Sequence, residues 1–437
     1  MSVTEEKVLT KTKKNLNTDQ VINRSQIMAI GNQIRLSDSD PQNNLDMYSY
    51  ITCKNDDPDI IKKCNGIIFK KDEIILNGLP FVETYLSNDV EKISSLLNSF
   101  SSFRCFLSYE GVTLRVFYYN NKWLVTTNKK LNAFRSKWSS KDSYGNMFKN
   151  SIDFLYSNNS KFRDLIGENN SKPYSSFLNT LNKNHVYLFK VQNTYDNRIV
   201  CNVPESPCTY HIGTFINNQF NLDDNIGLSK PSEKSFQSNN EIVDFVNKIY
   251  VHENIGLDLY DQDNNPYLIM NSEYHKLHAV RGNEPSIKFR YLQIRMDREN
   301  VDILYYLYPK FADQFDNYEN ILYECAKKIN YNYIKRFIKK KYITVPREEY
   351  QIMKQCHQWH LQDRERNRIS LTKIIEVMNN QNASVLNSII RKYKNERNAQ
   401  ENRQQIRLLN PRAKSYGTPQ IRPLVLDPVN KVDSLKI

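Results

Sequence analysis

Three groups of residues have types and spacings that could do chemistry. CNVPESPCTYH places Cys201, Cys208 and His211 close together. Thiolate and imidazole are zinc ligands, but a structural zinc needs four, usually with a Cys-x-x-Cys pair. Neither a fourth ligand nor such a pair accompanies them, so the expectation is buried thiols beside a strand-to-strand loop. CHQWH (Cys356–His360) sets His357 and His360 three apart on an expected helix. No acid nearby completes a metal site, so these read as helix-face histidines beside Trp359. The third group is cationic. KKINYNYIKRFIKKKY carries Lys335, Arg336, Lys339, Lys340 and Lys341 beside Tyr331, Tyr333 and Tyr342. Helical spacing gathers the cations on one side, with Ile334, Phe337 and Ile338 opposite. Cations that follow phosphates, with aromatics available for stacking, suit single-stranded or structured RNA. A solvated helix face is the competing reading. Arg364, Arg366 and Arg368 are interrupted by Asp363 and Glu365 and say less.

Other chemistries are excluded. With 11 glycines in 437 residues, no run resembles a phosphate-cradling glycine loop. Gly111 has no partner glycine for a serine-hydrolase elbow. The formal charge of +13 favours a polyanionic partner, although a lysine-rich, AT-biased composition produces the same surplus. Seven cysteines, odd in number and irregular in spacing, fit reduced intracellular thiols. MSVTEEKVLTKTKKN has no apolar core, so no secretory signal is expected. No apolar run approaches the roughly 18 residues of a membrane span. The expectation is an intracellular protein, in cytoplasm or nucleus, with no membrane contact.

The elements that must position these residues change character along the chain. Residues 1–45 read as a polar N-terminal extension with one short helix near Ile27–Ile34. From 46 to 295 hairpins dominate: Gly66–Gly78, Thr113–Asn128 turning at Asn120-Asn121, Val186–Asn193 paired with Asn197–Val203, and Ile255–Asn271. Helices Val90–Phe100, Lys149–Ser157 and Glu241–Tyr250 sit between them. Residues 296–400 read as an α-helical domain and 401–437 as a disordered tail with scattered prolines. Short helices mixed with hairpins define an α+β class.

Within this frame LSYEGVTLRVFYYNNKWLVTTNKKLNAFRSKW (Leu107–Trp138) resembles the active-site strand and hairpin of ATP-dependent ligases and capping guanylyltransferases. The likeness is closer to RNA-ligase-like proteins of phages and large DNA viruses. It covers about residues 60–295: Cys64-Asn65-Gly66-Ile67-Ile68-Phe69 upstream, Lys129, Lys130 and Arg135 past the hairpin, Asn197-Arg198-Ile199-Val200, and a run ending at Tyr274. The resemblance implies two antiparallel sheets flanking a groove. It also implies a lysine that carries AMP as a phosphoramidate, an acid two residues on for the ribose, further acids for metal and nucleoside, and two lysines for the α-phosphate.

This chain keeps Glu110, Gly111 and Arg115 but has Ser108 at the nucleophile position. Lys190 stands where the third-motif acid belongs and Ile255 at the fourth-motif glutamate. Leu268 and Met270 replace the paired lysines. A serine cannot form a phosphoramidate, and losing one oxyanion contact alone costs a few kcal/mol of barrier. The expectation is a degenerate ligase-like protein that binds nucleic acid, RNA favoured, or a viral complex, and needs no cofactor. Ser108, Glu110, Gly111, Arg115 and Lys190 would form a vestigial nucleotide pocket. Lys129, Lys130, Arg135, Lys137, Lys335, Arg336, Lys339, Lys340 and Lys341 would meet the nucleic acid. Two alternatives remain open: an active nucleotidyltransferase using ATP, Mg²⁺ and another lysine such as Lys129 or Lys130, and a structural virion protein reusing the fold.

Overall fold

A computed structural model describes residues 23–168, 170–192, 194 and 199–409, with side chains through 405. Asn197, Arg198 and the proline-containing tail past 409 lie outside the described residues. The chain forms two compact units that divide between Arg290 and Tyr291.

The first unit holds three sheets. One runs β1 (Ile34–Asp40), β2 (Leu45–Tyr50), β3 (Asn65–Lys70), β4 (Glu73–Leu76), antiparallel in chain order. The ordered fold therefore starts earlier than polarity suggested, inside the segment read as an extension. The expected short helix is present at Arg24–Ala29. IRLSDSD is a strand with little apolar pattern because it is a sheet edge, held by backbone pairing to β2 with few of its side chains buried.

The second sheet has the order β11 (Gln219–Asn221), β10 (Cys208–Ile216), β9 (Val186–Gln192), β7 (Val112–Tyr119), β8 (Lys122–Thr126). The third has β12 (Glu233–Lys234), β6 (Phe103–Ser108), β13 (Gly256–Asp261), β14 (Pro266–Met270), β5 (Glu83–Leu86). All pairs are antiparallel except β14 with β5. The hairpins expected at Gly66–Gly78, Thr113–Asn128 and Ile255–Asn271 are β3–β4, β7–β8 and β13–β14. Asn120 and Asn121 both take positive φ, as a tight two-residue turn demands. The expected partner of β9 is different: β10 takes that edge, and residues 199–203 form no strand.

Side-chain alternation gives each sheet two faces. Leu114, Val116, Tyr187, Phe189 and Val191 of the second sheet pack against helices Tyr144–Asn158, Ser160–Ile166 and Pro173–Thr180. Cys105, Leu257, Leu259 and Ile269 of the third pack against helices Val90–Asn98 and Asn239–Lys248. Each sheet's helix-free face is thus left for the groove between them. The molecule is α+β with antiparallel sheets around a groove and a helical C-terminal part.

In the second unit the helix Ala312–Tyr333 buries Phe315, Tyr318, Ile321, Leu322, Cys325, Ala326, Ile329 and Tyr333 along one stripe. Helices Arg347–Gln362, Leu371–Asn379 and Ala383–Leu409 supply Ile352, Met353, Ile374, Met378, Leu386 and Ile389 to the same core. A π-helical turn, Ile334–Ile338, ends the long helix. Two sequence expectations change there. Tyr333 is buried, its hydroxyl 3.0 Å from His357 Nδ1, and Ile338 is 65% exposed. The wider π-turn breaks the 3.6-residue period on which the earlier placement relied.

Candidate functional site

The groove-facing residues of the third sheet lie in register. Ser108 pairs with Gly256, which pairs with Met270; Phe106 pairs with Asp258, which pairs with Leu268. Ser108, Asp258, Leu268 and Met270 therefore share one face. On the second sheet Lys190 pairs with Thr113 and Tyr210, and Arg115 with Leu188. Between the sheets is a cavity of roughly 510 Å³. Lys190, Leu188 and Thr113 line it from one side, Asp258 and Tyr260 from the other, with Glu110 and Gly111 also on the lining.

Ser108 is buried and Asp258 lies beside it. Burial pushes the Asp258 carboxyl above the usual aspartate range, opposed by the Lys190 charge and by a hydrogen bond from Ser108. The residue at the expected nucleophile position thus lies close to a carboxylate. Lys190 is the one lysine on the lining among the described residues. Asp258 ends the fourth-motif stretch Ile255-Gly256-Leu257-Asp258 but has no role assigned by sequence, where Ile255 takes the glutamate position. Its signal was the alternation Leu257-Asp258-Leu259, an acid on the face opposite two core leucines.

Glu110 lies on the cavity lining and is also bound by backbone amides. Its carboxylate accepts the backbone N–H groups of Ile199 (2.7 Å), Val200 (3.1 Å) and Cys201 (2.7 Å), and the Tyr274 hydroxyl (3.3 Å). Three consecutive amides turned onto one carboxylate form an anion nest, which is why this stretch leaves the strand conformation. The same segment is pinned from behind by Asn202 N–H to His252 O (2.6 Å) and by His252 Nδ1 beside Val200 O (3.2 Å). Ile199, Cys201, Asn202, Val203 and Pro204 then line the cavity. Gly111 follows because β7 begins against β9: a Cβ there would sit 2.6 Å from Val191 O.

Arg115 does not reach the cavity lining. It is fully buried, donating to Asn77 O (2.9 Å) and Gly66 O (2.5 Å), with Nε unpartnered. Burial without a carboxylate lowers its pKa to about 9. Gly66 has φ +80°, and a Cβ there would lie 2.9 Å from the Arg115 guanidinium. The Asn65-Gly66 and Arg115 motifs are one structural joint between the first and second sheets.

Past the β7–β8 hairpin, Lys130, Arg135 and Lys137 are exposed and Lys129 is half-buried. Lys130 Nζ lies 3.4 Å from Asp38. Cys201 Sγ faces Val251 O (3.4 Å) and Cys208 Sγ faces Gln192 Oε1 (3.2 Å). His211 Nε2 lies 2.9 Å from Thr214 Oγ1, so the three point to separate partners. His360 Nδ1 lies 2.7 Å from Asn367 O. Among the described residues no group of three acids, histidines or cysteines could hold a metal, and no helix is long and apolar enough to cross a membrane.

No protein-family profile matches the chain. It is 25% identical over 317 residues to the immediate-early protein ICP-46 homolog of Invertebrate iridescent virus 6, covering 69% of this chain and 68% of the relative. It is 30% identical over 251 residues to the ICP-46 homolog of Invertebrate iridescent virus 3, covering 56% and 52%. The chain thus spans about two thirds of one relative and about half of the other. Similar solved structures include an archaeal ATP-dependent RNA ligase (TM-score 0.37, 10% identity, 64% of this chain and 68% of that one). A putative ATP-dependent DNA ligase from Aquifex aeolicus is another (TM-score 0.33, 11% identity, 63% and 68%). The relatives are viral proteins and the structural neighbours are ATP-dependent ligases.

Proposed function

We propose that this chain is a ligase-like protein that has lost lysyl-nucleotide chemistry and binds nucleic acid, RNA in preference to DNA. The loss rests on the groove. The strand that would bear the amine presents Ser108, turned to Asp258, on a face completed by Leu268 and Met270. The single observation that carries the binding role is in the second unit. From Cys325 to Arg347 there are eight lysines and arginines and no acid. Five of them, Lys335, Arg336, Lys339, Lys340 and Lys341, are grouped around the π-turn.

Two measurements test this. Five phosphate contacts on a single strand imply that affinity for labelled RNA falls about a hundredfold between 50 and 200 mM salt. Lys339→Glu with Lys340→Glu should weaken binding further. Salt-independent binding, or none, refutes the role. Incubation with α-labelled ATP or GTP and a divalent metal should leave no covalent label on a denaturing gel.

One observation favours a second reading. Lys190 brings an amine to the cavity opposite Asp258, a carboxylate whose proton affinity burial has raised. An active transferase would then attack the α-phosphate through Lys190 Nζ. A P–N bond would form, the P–O bond to pyrophosphate would break, and Asp258 would take the amine proton. A labelled band abolished by Lys190→Met supports this reading against the first.

A further inference from the structure

The long helix of the second unit carries Tyr323, Lys327 and Tyr331 at intervals of four residues, and Lys335 follows four further on, in the π-turn. Each α-helical interval climbs about 6 Å and turns about 40°, so Tyr323, Lys327 and Tyr331 form one gently winding file about 12 Å long, with Lys335 at its end. The file is ordered by cation–ring contacts. Lys327 Nζ lies 5.1 Å from the Tyr323 ring centroid, and Lys335 Nζ 4.3 Å from that of Tyr331. Tyr323 is 50% exposed and Tyr331 59%. The π-turn then leads to Lys339, Lys340, Lys341 and Tyr342, all exposed, the last at 93%.

Charge is one-sided along this file. Glu324, the acid at its start, is held by Lys327 at 2.5 Å. Among the described residues Lys335, Lys339, Lys340 and Lys341 have no carboxylate partner. A solvated helix face accounts for lysines. It does not account for two exposed tyrosine rings alternating with lysines along the helix and an exposed Tyr342 beyond the turn. A ring face flanked by ammonium groups suits a base followed by a phosphate, and a 6 Å step is on the scale of one unstacked nucleotide. In a duplex the bases are stacked inside and offer these rings nothing.

We propose that Tyr323, Lys327, Tyr331, Lys335 and the Lys339–Tyr342 segment form a track specific for single-stranded nucleic acid. Bases stack on the tyrosines and phosphates lie on the lysines. The inference rests on the nucleic-acid reading above and assigns it a strandedness and a surface.

The test uses the full chain and a fluorescein-labelled 20-nucleotide RNA without self-complementarity, alone and annealed to its complement, read by anisotropy. The single strand should bind at least tenfold tighter than the duplex. Tyr331→Ala with Tyr342→Ala should weaken single-strand binding at least tenfold, leaving duplex binding and the salt slope unchanged. Lys339→Gln with Lys340→Gln should weaken both and flatten the slope by about 1.4. These side chains are exposed, and circular dichroism checks that the helices persist.

Equal affinity for both strand forms with neutral tyrosine variants overturns the inference, leaving a phosphate-only surface. Tighter adsorption to phosphatidylserine vesicles than to RNA, lost in the tyrosine variants, overturns it in favour of a lipid surface. RNA binding that ignores these variants but is lost on mutating Lys129, Lys130, Arg135 and Lys137 to Glu sinks the track and moves the nucleic-acid binding to the first unit. No binding to any nucleic acid sinks both.

Discussion

Replacing Glu110 by Gln tests whether this carboxylate organises the cavity wall. The carboxylate accepts three backbone amides and one phenol, at 2.7–3.3 Å. Charge-assisted hydrogen bonds contribute about 1.5–3 kcal/mol each, and an amide left without an acceptor costs about 1–3 kcal/mol. Glutamine keeps one acceptor oxygen but turns an NH₂ toward amides that are themselves donors. With its oxygen at the Oε2 position glutamine keeps Val200, Cys201 and the Tyr274 hydroxyl as neutral bonds and loses the Ile199 bond outright, with cavity water offsetting part of the cost. A net local loss of about 3 kcal/mol follows. The direct readout is hydrogen exchange by mass spectrometry on peptides covering 199–204. At 1.36 kcal/mol per decade, exchange of the Ile199, Val200 and Cys201 amides should accelerate about a hundredfold. Exchange in the β6–β13–β14 core should stay constant. Unchanged protection at 199–201 would refute the nest as the force that shapes this wall. Uniform loss of protection across the first unit would show that Glu110 supports the whole fold instead.

Two further outcomes are expected. Arg115→Met removes the donors to Asn77 O and Gly66 O and leaves the Gly66 carbonyl buried without this donor, so the urea midpoint of the first unit should fall by an equivalent of about 3 kcal/mol, while a change under 1 kcal/mol would contradict the joint. His211 is fully buried, and burial lowers its pKa to about 4 from an unfolded value near 6.5. The unfolded chain therefore takes up this proton first, and stability is lost as pH falls from about 6.5 towards 4. At pH 4.5 the loss amounts to about 2.5 kcal/mol, and His211→Gln should remove that share of the pH dependence of unfolding.

Much of the fold is legible in short-range pattern. β-Branched and aromatic runs broken by Asn-Asn or Lys-Lys-Asp-Glu produce the hairpins, because turn chemistry and period-2 burial act over a few residues. The spacing of Phe315, Leu322 and Ile329 produces the long helix in the same way. β1 was hidden because an edge strand takes its order from a partner's backbone and needs no apolar alternation. The π-turn at Ile334–Ile338 was hidden because a single extra residue in a turn leaves no periodic mark, yet it moves Ile338 to the surface.

The candidate site shows the same division. That Ser108, Leu268 and Met270 stand where the resemblance implies cations is read from the chain alone, since no conformation turns them into amines. That Lys190 and Asp258 face each other across the groove, that Glu110 is occupied by the amides of 199–201, and that Arg115 binds carbonyls away from the cavity were decided only by tertiary structure. Residue type limits which bonds a side chain can make. Which of them it makes depends on groups distant in sequence, such as Glu110 with Cys201 or Arg115 with Gly66, and only the packed sheets bring those within reach.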